Sequence, residues 1–373
     1  MSSEPSFSKG PHSPAGSRAL PDLVSFSAIR NRITAAPIDS NINRCIDDLL
    51  DAWHSGCVDI TPFLTLQAML DRIRMVPVGD ERVYLMSSVV RSLGRPQALA
   101  SFLDMLRWAA LRSHPSEDSY LSMLQNVRMH SIYGWCGNTM LVESGRTPVA
   151  ATYPVFPGLA ERLGNPASSW NLTLHVWQPN RYARGFTVLK DRPADSIAEP
   201  PHSHPFDFVS SVVTGSMRQS IYRQVDTVSS RMGRYADVTL EHVDGVWPPH
   251  DHQSSVGLDV LEERVVLAPG DTYYMPCDMI HDVEIDPAAA VETPTITLFL
   301  SSEYMVMPHV YMARSMAENH VSHPKVKTLA SPIPPQSWHA KLEAVSNYLT
   351  GRSVTLRLPD IVLFNGEYAF FHI

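Results

Sequence analysis

The hydrophobic period of this chain changes near residue 131, and that change limits the folds open to it. Before it, apolar residues recur at helical steps. Ile42, Cys45, Ile46, Leu49, Leu50 and Trp53 form one apolar face, with Asp39 or Ser40 placed to cap it. Thr61-Pro62 reads as an N-cap followed by proline at the first helical position, with Phe63, Leu66, Met69, Leu70 and Ile73 as the buried stripe. A third helix is predicted over 96–111, with Leu99, Phe102, Leu103 and Leu106 inward. These stripes serve core packing. After residue 131, prolines, glycines and short apolar runs take over, and strands are predicted over 171–177, 208–213, 263–267, 272–275 and 295–300. Short strands broken by turns point to a sandwich or small barrel. A helix is predicted again over 335–349, with Trp338, Leu342, Val345 and Leu349 on one side and Gly351 as its stop. Residues 353–373 read as one or two strands.

Composition excludes several classes of function. The 373 residues allow two or three domains, and 44% apolar residues suffice for a core. The net charge of −8, with no basic tract, argues against nucleic acid as a partner. No apolar run is long enough for a membrane span. Residues 1–20 are rich in Ser, Pro and Gly without an apolar stretch, which predicts a flexible tail rather than a secretory signal. Cys45, Cys57, Cys136 and Cys277 are scattered and form no CxxC, as expected of a reduced, cytoplasmic protein.

Chemistry concentrates in two stretches. In Pro201-His202-Ser203-His204-Pro205, the two histidines would share a face if the segment is a strand, close enough to hold one ion. Further on, Gly270, Pro276 and His281 frame a turn, a strand, a second turn and a third histidine. Together they resemble the paired motifs of the cupin superfamily. In the first, His202-x-His204 is followed by three residues, Phe208, six residues and Gly215; in the second, Gly270, Pro276 and His281 keep the family spacing, with Asp278 where a second glycine is usual. The match covers about residues 170–303. It implies a mostly β fold with α: a central cupin barrel, also called a double-stranded β-helix or jelly roll, with a helical N-terminal region and a C-terminal helical cap. On this reading 1–24 is a flexible tail, 25–130 the helical region, 131–305 the barrel and 306–373 a helix and strand extension.

The family's usual Glu ligand is replaced by Phe208, which cannot bind metal, and strand alternation turns the adjacent Asp207 to the other face unless a bulge intervenes. Three histidines remain, His202, His204 and His281. They are neutral ligands that leave positions open for water, O2 or substrate and suit an anionic substrate. Within the superfamily the chain resembles the thiol dioxygenases. Trp170-Asn171-Leu172 with Trp177 resembles the strand before their HxH, and residues 295–301 resemble their last barrel strand. The resemblance implies Fe(II) held by the three histidines, with another divalent transition metal as the alternative, and a small-molecule substrate, thiol or amino-acid-like, reacting with O2. Enzymes of that group acting on free cysteine carry a Ser-His-Tyr set on the last strand. Here those positions are Thr297, Phe299 and Ser301, and the loop between Trp177 and His202 is longer, which counts against cysteine itself.

Around the ligands, Phe206, Phe208, Tyr273, Cys277 and Phe299 are the expected pocket lining, with the buried structural thiol the favoured reading of Cys277. Tyr222, Tyr273 and Tyr274 could each give a phenol to the pocket or pack in its wall. Arg181 and Arg184, with Arg192 in the same long loop, are candidates to bind a substrate carboxylate against a default of solvated loop charge. His250-x-His252 reads as a surface loop, and His175 as a satisfied core histidine. Two rival functions stay open: isomerase or lyase chemistry on Zn or Ni, and a small-molecule sensor without turnover.

Overall fold

The computed structural model describes residues 25–56, 61–112, 128–130, 137–144, 170–177, 197–226, 234–240, 249–285, 293–303, 305–306, 308–313, 331–332 and 335–356. The tail over 1–24 and the strands expected near the C-terminus, beyond 356, lie outside these.

Among the described residues, five helices precede the sheets: α1 (Phe26–Ala35), α2 (Ser40–His54), α3 (Thr61–Met75), α4 (Asp80–Leu93) and α5 (Pro96–Arg112); α6 (Pro335–Leu349) follows them. α2 starts where its sequence says, since Asp39 accepts hydrogen bonds from the backbone N–H groups of Asn41 and Ile42, each at 3.0 Å. α1 and α4 do not announce themselves. α4 buries Arg82, Ser87, Ser88 and Ser92 among its apolar residues, which breaks the stripe. The burial is tolerated because the hydroxyls are satisfied: Ser87 and Ser88 donate to the Tyr84 carbonyl at 2.7 and 3.0 Å, and Ser88 accepts from the Asp39 N–H.

The strands are β1 (Arg128–His130), β2 (Gly137–Ser144), β3 (Asn171–Trp177), β4 (Ile197–His202), β5 (Phe208–Thr214), β6 (Met217–Val225), β7 (Arg234–Leu240), β8 (Pro249–Leu267), β9 (Thr272–Met275), β10 (Ile280–Ile285), β11 (Thr295–Ser301), β12 (His309–Ala313) and β13 (Ser331–Pro332). One sheet has the order β13-β1-β2-β3-β11-β5-β9; the other closes on itself as β10-β4-β12-β7-β8-β6. From β3 onward, successive strands alternate between the two sheets, apart from the β7–β8 hairpin, which stays in the second. That alternation is a double-stranded β-helix, so the fold is a cupin jelly roll flanked by helices. The second sheet continues past residue 305 through β12, whose Val310 pairs with His202.

Both faces of the first sheet are buried, for different reasons. Leu172, Leu174, Val176, Leu298 and Leu300 pack outward against the helices, including Leu342 and Val345 of α6. Trp177, Phe208, Val212 and Phe299 point inward to meet Met217, Ile221 and Val283 of the second sheet. The free edge at β9 is covered by α1: Thr34 of that helix bonds both the N–H and the carbonyl of Thr272.

Two local expectations are corrected. Residues 250 and 252 do not lie in a loop; they pair with Thr239 and Asp237 as part of β8, whose extent is set by its partner strands rather than by local pattern. His204 is not on a strand. β4 ends at His202, because Pro205 has no N–H to continue a ladder and the Ser203 N–H is taken by the His309 carbonyl at 2.9 Å.

Candidate metal centre

His202 and His281 meet because β4 and β10 are neighbours in register, His281 directly opposite His202. His204 reaches the same point from the loop, which is tied to β12 at Ser203. The three rings form a triangle, with centroids 4.9 Å apart for His202–His204, 4.5 Å for His202–His281 and 5.1 Å for His204–His281. One ring nitrogen from each lies within 4.8 Å of the others. His204 Nε2 and His281 Nε2 are 2.9 Å apart, close to the roughly 3 Å between neighbouring donors on an octahedral ion with bonds of about 2.1 Å.

The electrostatics agree with that geometry. His202 and His281 are buried, 5% and 2% exposed. Burial pushes the His202 imidazole down to about 4, and holds His204 and His281 well below the ordinary histidine value, with His202 and His175 adding to the effect. All three are therefore neutral near pH 7 and offer lone pairs. His202 Nδ1 sits 2.9 Å from the Pro200 carbonyl, so that nitrogen carries the proton and Nε2 is left free for a metal. The donor set fits a divalent transition metal.

Aromatic rings stand beside the histidines. The Phe208 ring is 4.8 Å from His204 and 5.4 Å from Phe299. Phe206 stacks on His204 at 5.7 Å, and Tyr273 lies 6.1 Å from Phe208. Asp207 does not join them: its carboxylate accepts from the Tyr274 hydroxyl at 3.0 Å and the Cys277 N–H at 2.8 Å. Cys277 belongs to that outer group rather than to the triangle of imidazoles. Burial, then the charges of Asp207 and Asp278, push its thiol up to about 12. Of the three tyrosines, Tyr273 faces this interior and Tyr274 packs on the helix side; Tyr222 donates to Asp282 at 2.6 Å within a separate cluster of the second sheet. Arg181, Arg184 and Arg192 lie outside the described residues.

Sequence reasoning reads His175 as a core histidine and gives it no part in the site. Its ring lies 4.6 Å from Phe299 and 5.6 Å from Trp177, and it adds to the lowering of His204 and His281. It therefore faces the barrel interior. Strand alternation gave the signal, since Leu172, Leu174 and Val176 are all committed to the other face.

No family model and no curated protein matches the chain. Among solved structures it is similar to a variant of oxalate decarboxylase from Bacillus subtilis, at 12% identity and a TM-score of 0.22 over 53% of this chain and 30% of that one. It is also similar to an RmlC-like cupin from Shewanella frigidimarina (13%, TM-score 0.21, 47% of this chain and 83% of that one). A third is an 11S globulin from Wrightia tinctoria (8%, TM-score 0.23, 52% and 33%). At such scores these similarities say nothing of chemistry, and the fold stands on the strand order. No helix among the described residues is long and apolar enough to cross a membrane. Fold and site together define a class: a cupin-type barrel with a three-histidine group able to hold a metal ion.

Proposed function

We propose that the chain is a mononuclear non-haem Fe(II) oxygenase acting on a small molecule, with a thiol-bearing compound the first candidate. The observation that carries the reading is the donor set: three neutral imidazoles, those of His202 and His281 buried and that of His204 half-buried, with Phe208 where a carboxylate ligand would stand. An Fe(II) ion held there would supply open positions for an organic substrate and O2 and the redox chemistry between them. The residues present do the rest. The Pro200 carbonyl fixes the tautomer of His202, and Phe206, Phe208 and Phe299 keep water from the reacting groups. With no charged ligand, the site retains the full charge of a divalent ion, which favours an anionic head group such as a thiolate.

The same donors suit Zn or Ni, so the second reading is a lyase or isomerase on one of those metals. Metal analysis of protein purified without added metal, followed by an oxygen-electrode assay of anaerobically loaded Fe(II) protein with thiols and amino acids, separates the two. O2 consumption that needs Fe(II), without 2-oxoglutarate, is the expected result; full turnover without O2 on Zn or Ni would rule the oxygenase out.

A further inference from the structure

The barrel interior contains hydrogen-bonding groups for which the described residues supply no partner. Gln219 is 0% exposed, and neither its Oε1 nor its Nε2 is bonded. The Trp177 indole Nε1 and the Ser210 hydroxyl are in the same condition. Alternation along the strands turns all three inward: Gln219 stands between Met217 and Ile221, Ser210 between Phe208 and Val212, and Trp177 two residues beyond His175. Native interiors rarely leave such groups unsatisfied, and three on the inner faces of the strands that carry the histidine group's surroundings mark a place for a bound molecule.

The ladders fix their order. Ile221 lies opposite His281, and Gln219 is two residues further along, roughly 6.6 Å by the rise of a strand. Ser210 pairs with Phe299 on one side and Tyr273 on the other. Trp177, opposite Thr295, marks the far end. A molecule reaching from the histidines therefore passes aromatic rings first and meets an amide and a hydroxyl about one ring-length away. Among the described residues, the charges nearest this path are engaged elsewhere. Arg218 and Arg264 pair with Glu284 on the other face of the strands, at 3.4 and 2.8 Å, and Glu262, opposite Ile221, accepts from the backbone N–H and hydroxyl of Ser27.

We propose that this chamber selects a substrate whose tail is uncharged and ring-bearing and ends in a group that both donates and accepts hydrogen bonds, such as a carboxamide. Gln219 is the specificity-determining residue, with Ser210 and Trp177 beside it. The proposal rests on the reading of the barrel interior as the substrate chamber of the metal centre. It sets free amino acids aside, since these groups offer no counter-charge to a zwitterion.

The test is calorimetric titration of the full chain, metal-free and Zn-loaded, with benzamide, benzoate and toluene, with zinc content measured in parallel. Benzamide should bind both forms. In the metal-free protein, where a carboxylate has no ion to meet, it should bind at least about tenfold tighter than benzoate. Gln219→Leu should weaken benzamide roughly tenfold and leave toluene unchanged. If that variant does not fold, Trp177→Phe removes the indole N–H, keeps a ring, and should weaken benzamide in the same sense. Benzoate binding the metal-free protein as well as benzamide does, unchanged benzamide affinity in the folded variant, or no binding of any probe would overturn the chamber, leaving buried water as the partner of these groups. Zinc binding with no discrimination among probes removes the chamber alone; discrimination without zinc binding removes the metal reading alone.

Discussion

A single carbonyl decides how His202 can act. By accepting from Nδ1, the Pro200 oxygen leaves the Nε2 lone pair free, and loss of even such a supporting bond costs about 10–100-fold in metal affinity. Removing the imidazole should cost more. His202→Ala is expected to lose at least about a hundredfold in affinity for divalent metal, read by metal analysis after dialysis, with the helical circular dichroism retained because the helices pack on the opposite face of the first sheet. Phe208→Glu tests the neighbouring position: a hard carboxylate beside His204 should shift preference toward Mn(II) in competition with Fe(II) or Zn(II). Unchanged selectivity would show that this side chain does not reach the ion. Cys277 makes a contrasting case. Its thiol is pushed up to about 12, so at pH 8 it is almost wholly protonated and gains thiolate only as pH rises toward that value. Alkylation at pH 8, followed by peptide mass spectrometry, should run roughly a thousandfold slower than for an ordinary cysteine.

At the scale of elements, the two motif glycines do different work. Gly215 turns the chain between β5 and β6 with φ +69°, and a Cβ there would lie 2.5 Å from Thr295 Oγ1 and 2.6 Å from its Cα. Gly270, φ +91°, has open space around it. Gly215→Ala should therefore cost about 2–3 kcal/mol, strain and clash together, and Gly270→Ala only about 1 kcal/mol of strain. Denaturant melts of the two variants should separate them; equal costs would mean that β11 yields at Thr295. The helical layer is fastened to the barrel by a part-buried ion pair between Arg82 of α4 and Glu303 just past β11. Arg82→Met leaves the carboxylate unpaired and should destabilise by about 3 kcal/mol.

Across the whole molecule, one sheet separates two tasks. Its outer face and the helices form the larger apolar core; its inner face forms a second apolar cluster with the second sheet. A metal held by β4, the following loop and β10 joins segments far apart in the chain, so binding should stabilise the fold as a unit. With metal at a hundredfold over its dissociation constant the gain is about 3 kcal/mol. Chelation should lower the melting temperature of the wild type and leave that of His202→Ala unmoved.

The sequence alone determined the periodic elements and the ligand spacing. β3 and β9 match their predicted limits, and α2 follows its cap, because each depends on side chains local to the segment. His202, His204 and His281 were legible because turns at fixed positions, Gly215 and Gly270 among them, impose a spacing that a chain can display without being folded. What only the tertiary structure decided are features that depend on partners distant in sequence. α4 is helical despite its buried serines, because the Asp39 N–H donates to Ser88 and Ser92 donates to Asn43, both some fifty residues earlier in the chain. Residues 250 and 252 are in a strand because β7 pairs with them. His175, Ser210 and Gln219 each look like one polar residue in an apolar run; packing brings them into one interior, where burial without partners gives Ser210 and Gln219 their meaning.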